Sequence, residues 1–242
     1  MIYHVLPGDA QIEAFEQSGI EGELLVCREV LVEGDLSGES LDEFFTNRAA
    51  FINSEYDDDP ALYNANVASQ FRRLLDVKES DEVNLWFEYE LFCSVNMWFC
   101  LSLLESSKVA IYRVSPVFRD EQDRWDGFGG ADADKMMACY KARLKLTDEN
   151  VRLGADLWRA YKTKNRNELL RLSTTKSEAF PYLKEIGEAA VNKERIPATV
   201  IAEIQSEGIN NFNEIFLEFR RRAGIFGFGD SQVKNVMAAS AK

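Results

Sequence analysis

Short apolar runs that end in polar residues alternate with helical patterns through the first half of the chain. The apolar runs are rich in β-branched and aromatic residues and predict strands at 2–6, 23–27, 83–87 and 108–114. The segments between them repeat apolar residues at helical spacing and predict helices at 10–17, 40–54 and about 63–75. Strands separated by helices are typical of right-handed crossovers. The sequence therefore predicts an α/β fold, with a three-layer, mostly parallel sheet in an N-terminal domain at 1–115.

The pattern changes after residue 115, where helical spacing continues and strand-like runs stop. It predicts helices at 132–144, 147–161, 167–172, 177–191, 197–206 and 211–222. We interpret residues 116–242 as an all-helical C-terminal domain. The last two predicted helices are separated by a short segment at 207–210, a spacing that resembles a helix-turn-helix.

One helical segment, at 91–104, is apolar on nearly every face, which predicts a helix buried in the core. It is too short to span a bilayer, and no signal-peptide pattern opens the chain. The four cysteines are dispersed and the chain has one histidine, a pattern that indicates neither a zinc site nor a disulfide scaffold. We therefore expect a reduced, cytoplasmic protein with no membrane partner.

Composition and charge narrow the class of ligand. Hydrophobic residues make up 46% of the chain and charged residues 29%, the balance of an ordinary globular protein. The net charge of -13 is uneven, because residues 1–115 hold 7 basic against 22 acidic side chains and residues 116–242 hold 21 against 19. An acidic half repels nucleic acid and favours a divalent cation, a basic ligand or a basic protein partner. The alternative is an acidic surface that serves solubility alone.

Charged residues follow the predicted strands at the point where each strand ends. Asp9 follows the first strand, Arg28 and Glu29 follow the second, and Glu88 and Glu90 follow the third. Ligands of open α/β sheets bind outside the carboxyl ends of the strands, so these side chains are expected to share one crevice. The predicted catalytic residues are Glu88 and Glu90, and the predicted ligand-binding residues are Asp9, Arg28, Glu29 and Arg48.

These side chains allow a functional and a structural interpretation. Glu88 and Glu90 lie two positions apart, so in extended backbone they point to one side and can hold Mg²⁺, or one can act as a general acid with a raised pKa. Arg28 and Arg48 can bind a phosphate or a carboxylate. The structural alternative is an arginine–carboxylate network that ties strand ends to helices. For Asp9 the alternative is capping of the first predicted helix.

Two other residues, one in the first strand and one just after it, give little indication of function. Gly8 allows a tight turn, but no GxGxxG or GxxxxGK[ST] motif accompanies it, which argues against a dinucleotide fold or a P-loop. His4 lies inside the strand and is predicted to be a core residue, with a catalytic base as the alternative.

Several blocks of sequence carry a family resemblance. They are Val5-Leu6-Pro7-Gly8-Asp9 and the segments at 26–34, 48–52 and 85–93. Together they resemble the bacterial domain-of-unknown-function family 1835. The segments at 157–161 and 227–232 resemble its usual companion, unknown-function family 3658. The resemblance implies a bacterial protein and brings no activity with it.

Two functional hypotheses follow from the residues. In the first, the crevice binds a small polar or phosphorylated ligand and supports metal-assisted hydrolysis or phosphoryl transfer. In the second, the chain is a non-enzymatic regulatory protein whose acidic half meets a basic partner and whose tail docks a macromolecule. DNA is the disfavoured partner, because Glu214 and Glu218 stand in the predicted second helix of the helix-turn-helix-like pair.

Overall fold

The computed structural model describes residues 1–240. Within this range the sheet has five strands, which are β1 (Ile2–Leu6), β2 (Glu23–Val26), β3 (Glu82–Trp86), β4 (Ala110–Val114) and β5 (Leu144–Lys145). Their order is β2-β1-β3-β4-β5, with parallel pairing throughout β1 to β4 and antiparallel pairing between β4 and β5. The prediction of a mostly parallel α/β sheet is confirmed.

Helices follow the strands and fill most of the second half. They are α1 (Ile12–Gln17), α2 (Leu41–Tyr56), α3 (Pro60–Tyr63), α4 (Ser69–Leu75), α5 (Leu91–Leu104), α6 (Ala133–Lys141), α7 (Asp148–Lys162), α8 (Arg166–Ser173), α9 (Leu183–Asn192), α10 (Arg195–Ser206), α11 (Phe212–Ala223) and α12 (Asp230–Ser240). A π-helical turn, Asn64–Ala68, joins α3 to α4, and a 3-10 turn, Asp9–Gln11, precedes α1. Among residues 1–240, no helix combines the length and apolar character that crossing a membrane requires.

Local chemistry explains where several helices begin. The Ser40 hydroxyl accepts the backbone N–H of Glu43 at the start of α2, 3.1 Å away. Thr147 and Asn150 form a reciprocal capping box at the start of α7. Helix α9 begins later than the periodicity predicts, because Pro181 precedes it and cannot supply a backbone N–H.

Both faces of the sheet are covered, which gives the three-layer arrangement. Alternate strand residues point to opposite faces, so Val5 belongs to the cluster that includes residues of α2, α4, α5 and α7, while Leu6 belongs to the cluster with residues of α1 and α6. Trp86 belongs to the second face and stacks on Tyr140 of α6 with a centroid distance of 6.2 Å. The parallel strands are therefore buried on both sides, as parallel sheets require.

The second half contributes a strand and is therefore not all-helical. Lys145 pairs with Tyr112 and Leu144 pairs with Arg113, so β5 extends the sheet beyond β4. The predicted helix at 132–144 is wrong at residue 144, because a strand of two residues has no periodicity to detect. This segment forms a strand because the edge of β4 offers it a backbone pairing partner.

One hydrophobic core runs across the boundary predicted at residue 115. Leu101 of α5 and Leu157 of α7 are fully buried in the same cluster. The two helices approach closely at Gly154, where a Cβ atom would lie 2.3 Å from Leu101 Cδ1. The division into domains at 1–115 and 116–242 stays a prediction, and the two segments share their packing.

His4 is a core residue, in agreement with the structural interpretation. It is fully buried, and Trp86 Nε1 donates a hydrogen bond to its Nδ1 at 3.1 Å. Its Nε2 lies 3.2 Å from the carbonyl oxygen of Glu21. Burial lowers the pKa of His4, so the ring is neutral, with its proton on Nε2 because Nδ1 accepts from Trp86.

The close approach of α5 and α7 yields a stability prediction. We expect Gly154→Ala to destabilise the protein, because a methyl group has no room against Leu101. Overpacking costs about 1–3 kcal/mol, more than the roughly 1 kcal/mol that alanine gains over glycine in a helix. Urea unfolding measures the difference. Gly8→Ala is the control, since Gly8 has extended backbone and no atom lies within 4 Å of the position that a methyl group would take there. Equal stability of the two variants would contradict the packing.

Candidate functional site

The loops after β1 and β2 border a crevice at the carboxyl edge of the parallel sheet. The strand order changes direction between β1 and β3, and ligands of open α/β sheets bind at such a point. The crevice encloses about 450 Å³, which is within the range of small-molecule sites. Its lining includes Gly8, Asp9, Arg28, Glu29, Tyr56, Asp58, Tyr63, Phe92 and Gln232. We call it the strand-end crevice.

Asp9 and Arg28 form an ion pair at the rim of the crevice. Arg28 Nη2 lies 2.7 Å from Asp9 Oδ1, and Arg28 Nε donates to both carboxylate oxygens at 2.9 Å. Both side chains are accessible, 35% exposed for Arg28 and 60% for Asp9. Asp9 lies inside the 3-10 turn, whose N-cap is Gly8, and the N-cap of α1 is Gln11, so Asp9 is not the helix cap that the capping interpretation assigned to it. The rim therefore offers one accessible guanidinium and one accessible carboxylate.

Glu29 and Arg48 form a second ion pair, which is buried at the floor of the crevice. Arg48 Nε and Nη2 donate to the two oxygens of Glu29 at 3.0 and 2.8 Å, and neither side chain is exposed. The remaining guanidinium hydrogens go to backbone carbonyls of Val30, Glu33 and Asp35. All five donors of Arg48 are therefore used within the protein.

The carboxylate of Glu29 is also fully occupied. The Tyr63 hydroxyl donates to Oε1 at 2.5 Å, and the backbone N–H of Val30 donates to Oε2 at 2.8 Å. Burial and the neighbouring Glu29 carboxylate raise the pKa of Tyr63, so its hydroxyl stays a donor. Neither Glu29 nor Arg48 has a group left for a ligand in this arrangement. For these two residues the geometry corrects the predicted binding role to the structural alternative.

Glu88 and Glu90 lie together at the end of β3, as the two-residue spacing predicts. Glu90 is the N-cap of α5, where it accepts the backbone N–H of Cys93 at 3.0 and 3.1 Å. Glu88 accepts the backbone N–H of Phe128 at 2.7 Å. Within residues 1–240, oxygens of both glutamates and the Cys93 sulfur lie within 4.8 Å of one another. We call these three residues the glutamate cluster.

The glutamate cluster favours protonated side chains. Burial, reinforced by the neighbouring Glu88, raises the pKa of Glu90 to about 8. Burial also raises the pKa of Glu88, and burial with the charge of Glu90 raises the pKa of Cys93. A carboxyl group held protonated near neutral pH can act as a general acid. The donor set suits Mg²⁺ poorly, because a cysteine sulfur is a soft ligand and favours metals such as zinc.

Two loops from the second half of the chain cover the glutamate cluster. A Cβ atom at Gly127 would lie 2.1 Å from Glu88 Oε2, and one at Gly227 would lie 2.1 Å from Glu90 Oε2. Both glycines also have positive φ, 67° and 64°, which other residues adopt rarely. Backbone thus contacts both carboxylates directly. Glu88 and Glu90 are not among the described residues that line the strand-end crevice.

The predicted single site is therefore divided into three groups. They are the accessible rim pair of Asp9 and Arg28, the buried floor pair of Glu29 and Arg48, and the covered cluster of Glu88, Glu90 and Cys93. The sequence could have predicted that Cys93 lies near Glu90, because it stands three positions later at the start of a predicted helix. Gly227 begins the block at 227–232 that carries a family resemblance, but no sequence pattern placed either covering glycine beside the glutamates.

The wall of the crevice includes a residue far along the chain. Gln232 Nε2 donates to the Tyr56 hydroxyl at 2.8 Å and to Glu33 Oε1 at 3.2 Å, and the Tyr56 hydroxyl donates to the same Glu33 oxygen. Burial and the Glu33 carboxylate raise the pKa of Tyr56, which keeps this hydroxyl protonated. The C-terminal helix α12 therefore completes the crevice, and sequence patterns gave no sign of this.

A second cavity, of about 640 Å³, carries more basic side chains. It lies beside the end of α7 and the first residues of α8 and α10. Its charged lining residues are Lys164, Arg166, Lys193 and Arg195 against Glu33 and Glu194. We call it the basic cavity, and it is a competing location for a phosphorylated ligand.

Two of the three consecutive arginines of α11 form ion pairs within the chain. Arg222 contacts Glu207 at 2.6 Å and Glu218 at 3.0 Å, and Arg221 contacts Glu218 at 2.8 Å. Internal carboxylates thus offset the charge that a DNA-reading helix would present.

Comparisons with known proteins bring no further identification. No family model, no curated protein and no solved structure matches this chain. The resemblance to unknown-function families 1835 and 3658 stays a prediction from the sequence blocks.

The two arginine–carboxylate pairs predict different energetic costs. We expect Arg48→Met to lower the free energy of unfolding by about 3–5 kcal/mol, because it leaves Glu29 buried without its counter-charge. Arg28→Met is the matched control and should cost about 0–1 kcal/mol, because its ion pair with Asp9 is exposed. Urea unfolding of both variants measures the contrast. Similar losses would show that burial does not distinguish the pairs.

The raised pKa of Glu90 predicts how stability depends on pH. An unfolded glutamate loses its proton near 4.5, whereas the folded Glu90 keeps it to about 8. Between these values the native state holds more protons, so the free energy of unfolding falls as pH rises, by up to about 1.4 kcal/mol per pH unit. We expect Glu90→Gln to remove this slope, because an amide oxygen still accepts from Cys93 but does not ionise. The exposed Glu16→Gln should keep it, and a slope unchanged in Glu90→Gln would contradict the assignment.

Proposed function

We propose that this protein binds a small polar ligand with one anionic group in the strand-end crevice. The supporting observation is an accessible arginine at the rim of a 450 Å³ crevice, located where the strand order of a parallel sheet reverses. Among the described residues that line the crevice, Arg28 is the one cation. It is the residue on which the proposal depends.

In the proposed binding step, the anionic group of the ligand takes the place of the Asp9 carboxylate on Arg28. Arg28 already holds Asp9 through two of its nitrogens, so its fork is oriented for a carboxylate or phosphate. A ligand anion would replace Asp9 as the partner of Arg28. Because the Asp9 pair is exposed, its loss costs about 0–1 kcal/mol, and the exchange is energetically accessible.

Charge limits the ligand to a single anionic group. Asp9 and Asp58 also line the crevice, and the acidic excess of residues 1–115 surrounds it. A polyphosphate would meet repulsion from these carboxylates. Tyr56, Tyr63 and Phe92 add aromatic surface for the rest of the ligand. A phosphomonoester or carboxylate of a small polar molecule is the class that fits.

The proposal extends to catalysis by the glutamate cluster. In it, the glutamate cluster supplies a general acid or holds a metal for hydrolysis or phosphoryl transfer, with Glu88 and Glu90 as the active groups. Their raised pKa values support the acid role. The loops at Gly127 and Gly227 would have to move to admit a substrate, since backbone covers both carboxylates.

We also propose that the chain belongs to unknown-function families 1835 and 3658, that it has two domains and that it is cytoplasmic. The blocks at 26–34 and 85–93 support family 1835, and the blocks at 157–161 and 227–232 support family 3658. The charge difference between the two halves supports two domains, and the dispersed cysteines support a reduced, cytoplasmic location. The alternative function, a regulatory protein that docks a basic partner, rests on that charge difference alone. Retention of a basic protein at low salt but not at high salt would favour it.

Thermal-shift screening tests the binding proposal. The panel holds sugar monophosphates, nucleoside monophosphates, dicarboxylates and amino acids, each with and without Mg²⁺ or Mn²⁺. A ligand at a hundred times its Kd adds about 2.7 kcal/mol to the free energy of unfolding, so binding raises the Tm. We expect Arg28→Met to abolish the shift of any active compound.

The control is an arginine of the same type elsewhere on the surface. Arg72 pairs with Asp42 at 2.7 Å and is similarly exposed, so Arg72→Met should leave the shift unchanged. If Arg28→Met keeps the shift and Arg166→Met removes it, the ligand occupies the basic cavity and the proposed site is wrong. A panel with no active compound would leave the binding function without support. For a compound that is consumed, Glu88→Gln should stop turnover and preserve binding.

A further inference from the structure

A buried arginine lacks a carboxylate partner in a protein of net charge -13. Arg113 of β4 is 5% exposed, and none of the ion pairs within residues 1–240 includes it. Its Nη1 donates to the carbonyl of Ala179, and its Nη2 lies 3.4 Å from the carbonyl of Glu88. The rings of Tyr89 and Phe180 lie 5.0 and 5.7 Å from its guanidinium carbon. Carbonyls and rings carry no net charge, so the buried cation stays uncompensated.

One donor of this arginine and one donor of Trp98 are buried without an acceptor. Within residues 1–240, Arg113 Nε and Trp98 Nε1 are buried and have no hydrogen-bond partner in the protein. Trp98 is fully buried, in the middle of α5. An unsatisfied buried donor costs about 1–3 kcal/mol, and folded proteins rarely leave such donors unpaired.

Arg113 and Trp98 line the same small cavity. It has a volume of about 10 Å³, and its other walls come from α5, from Tyr89 and from the segment at 180–186. A cavity of this size holds about one water molecule or a monatomic ion. Ser94 also lines it, and the Ser94 hydroxyl already donates to the carbonyl of Tyr89.

The chemistry of the walls distinguishes an anion from water. Arginine and tryptophan side chains only donate hydrogen bonds, so the occupant has to accept at least two of them. Water would leave the positive charge of Arg113 without compensation, whereas a monatomic anion accepts both bonds and supplies the missing charge. We propose that Arg113 and Trp98 form a buried halide site that chloride occupies.

The site has a structural consequence for the end of β3. Arg113 contacts the carbonyl of Glu88 and the ring of Tyr89, which are the residues that lead into the glutamate cluster. Chloride that fixes Arg113 therefore also fixes this strand end. Its expected effect is a chloride-dependent gain in stability that does not depend on the ligand of the strand-end crevice.

Thermal unfolding in matched salts tests the proposal. Sodium chloride and sodium gluconate are compared at equal ionic strength, so that screening of the acidic surface is the same in both. We expect a saturable increase in Tm with chloride and with bromide, and none with gluconate. Trp98→Phe keeps an aromatic ring in the core and removes one donor, so the apparent Kd for chloride should rise about tenfold. Trp158→Phe, in the same core but outside the cavity, should keep the wild-type response.

Crystals grown in bromide give a second test that requires no substitution. An anomalous peak within hydrogen-bond distance of Arg113 Nε and Trp98 Nε1 would establish the site directly. Equal Tm values in chloride and gluconate, together with no peak in the cavity, would show that water fills it and overturn the proposal. A halide response that Trp98→Phe leaves unchanged, with bromide bound elsewhere, would overturn it as well.

Discussion

A charge removed from water has to be matched by a counter-charge and by hydrogen bonds, and the Arg48–Glu29 pair meets both requirements. Arg48 donates five hydrogen bonds, two to Glu29 and three to backbone carbonyls, while Glu29 also accepts from Tyr63. Asn96 of α5 donates to the Glu29 carbonyl at 2.7 Å and accepts from the Leu31 N–H at 3.3 Å. A segment without regular structure is thereby held against two helices.

The rest of the crevice depends on that segment. Arg28 stands next to Glu29, so the buried pair sets the position from which the exposed arginine reaches the rim. The Glu33 carboxylate, a few residues on, accepts from Tyr56 and Gln232. The Val32 carbonyl accepts from Tyr161 at 2.8 Å and from Lys193. One irregular stretch of the first half is therefore the place to which α7, α9 and α12 attach.

Burial has opposite consequences for the glutamates of this protein. Glu29 has a guanidinium beside it and forms an ion pair with it. Glu90 is equally buried but has another carboxyl group and a thiol as neighbours, so its pKa rises to about 8 and the proton is retained. Arg113 is the reverse case, a buried cation that none of the ion pairs within residues 1–240 includes. The first arrangement is satisfied by groups of the chain itself, and the other two are the places that the catalytic and halide proposals concern.

The sequence by itself determined the alternation of strands and helices, the buried helix at 91–104 and the presence of charges at the strand ends, because these follow from local periodicity and from strand direction. It did not determine how those charges pair. Whether a carboxylate contacts Arg28, Arg48 or another carboxylate depends on side chains that folding brings together from distant positions. Spacing along the chain does not determine how far apart these side chains lie in space. The strand β5 and the glycines that cover the glutamates depend in the same way on partners that exist only after folding. Tertiary structure therefore decided which of six similar candidates are accessible, because accessibility and pairing are properties of the packed molecule.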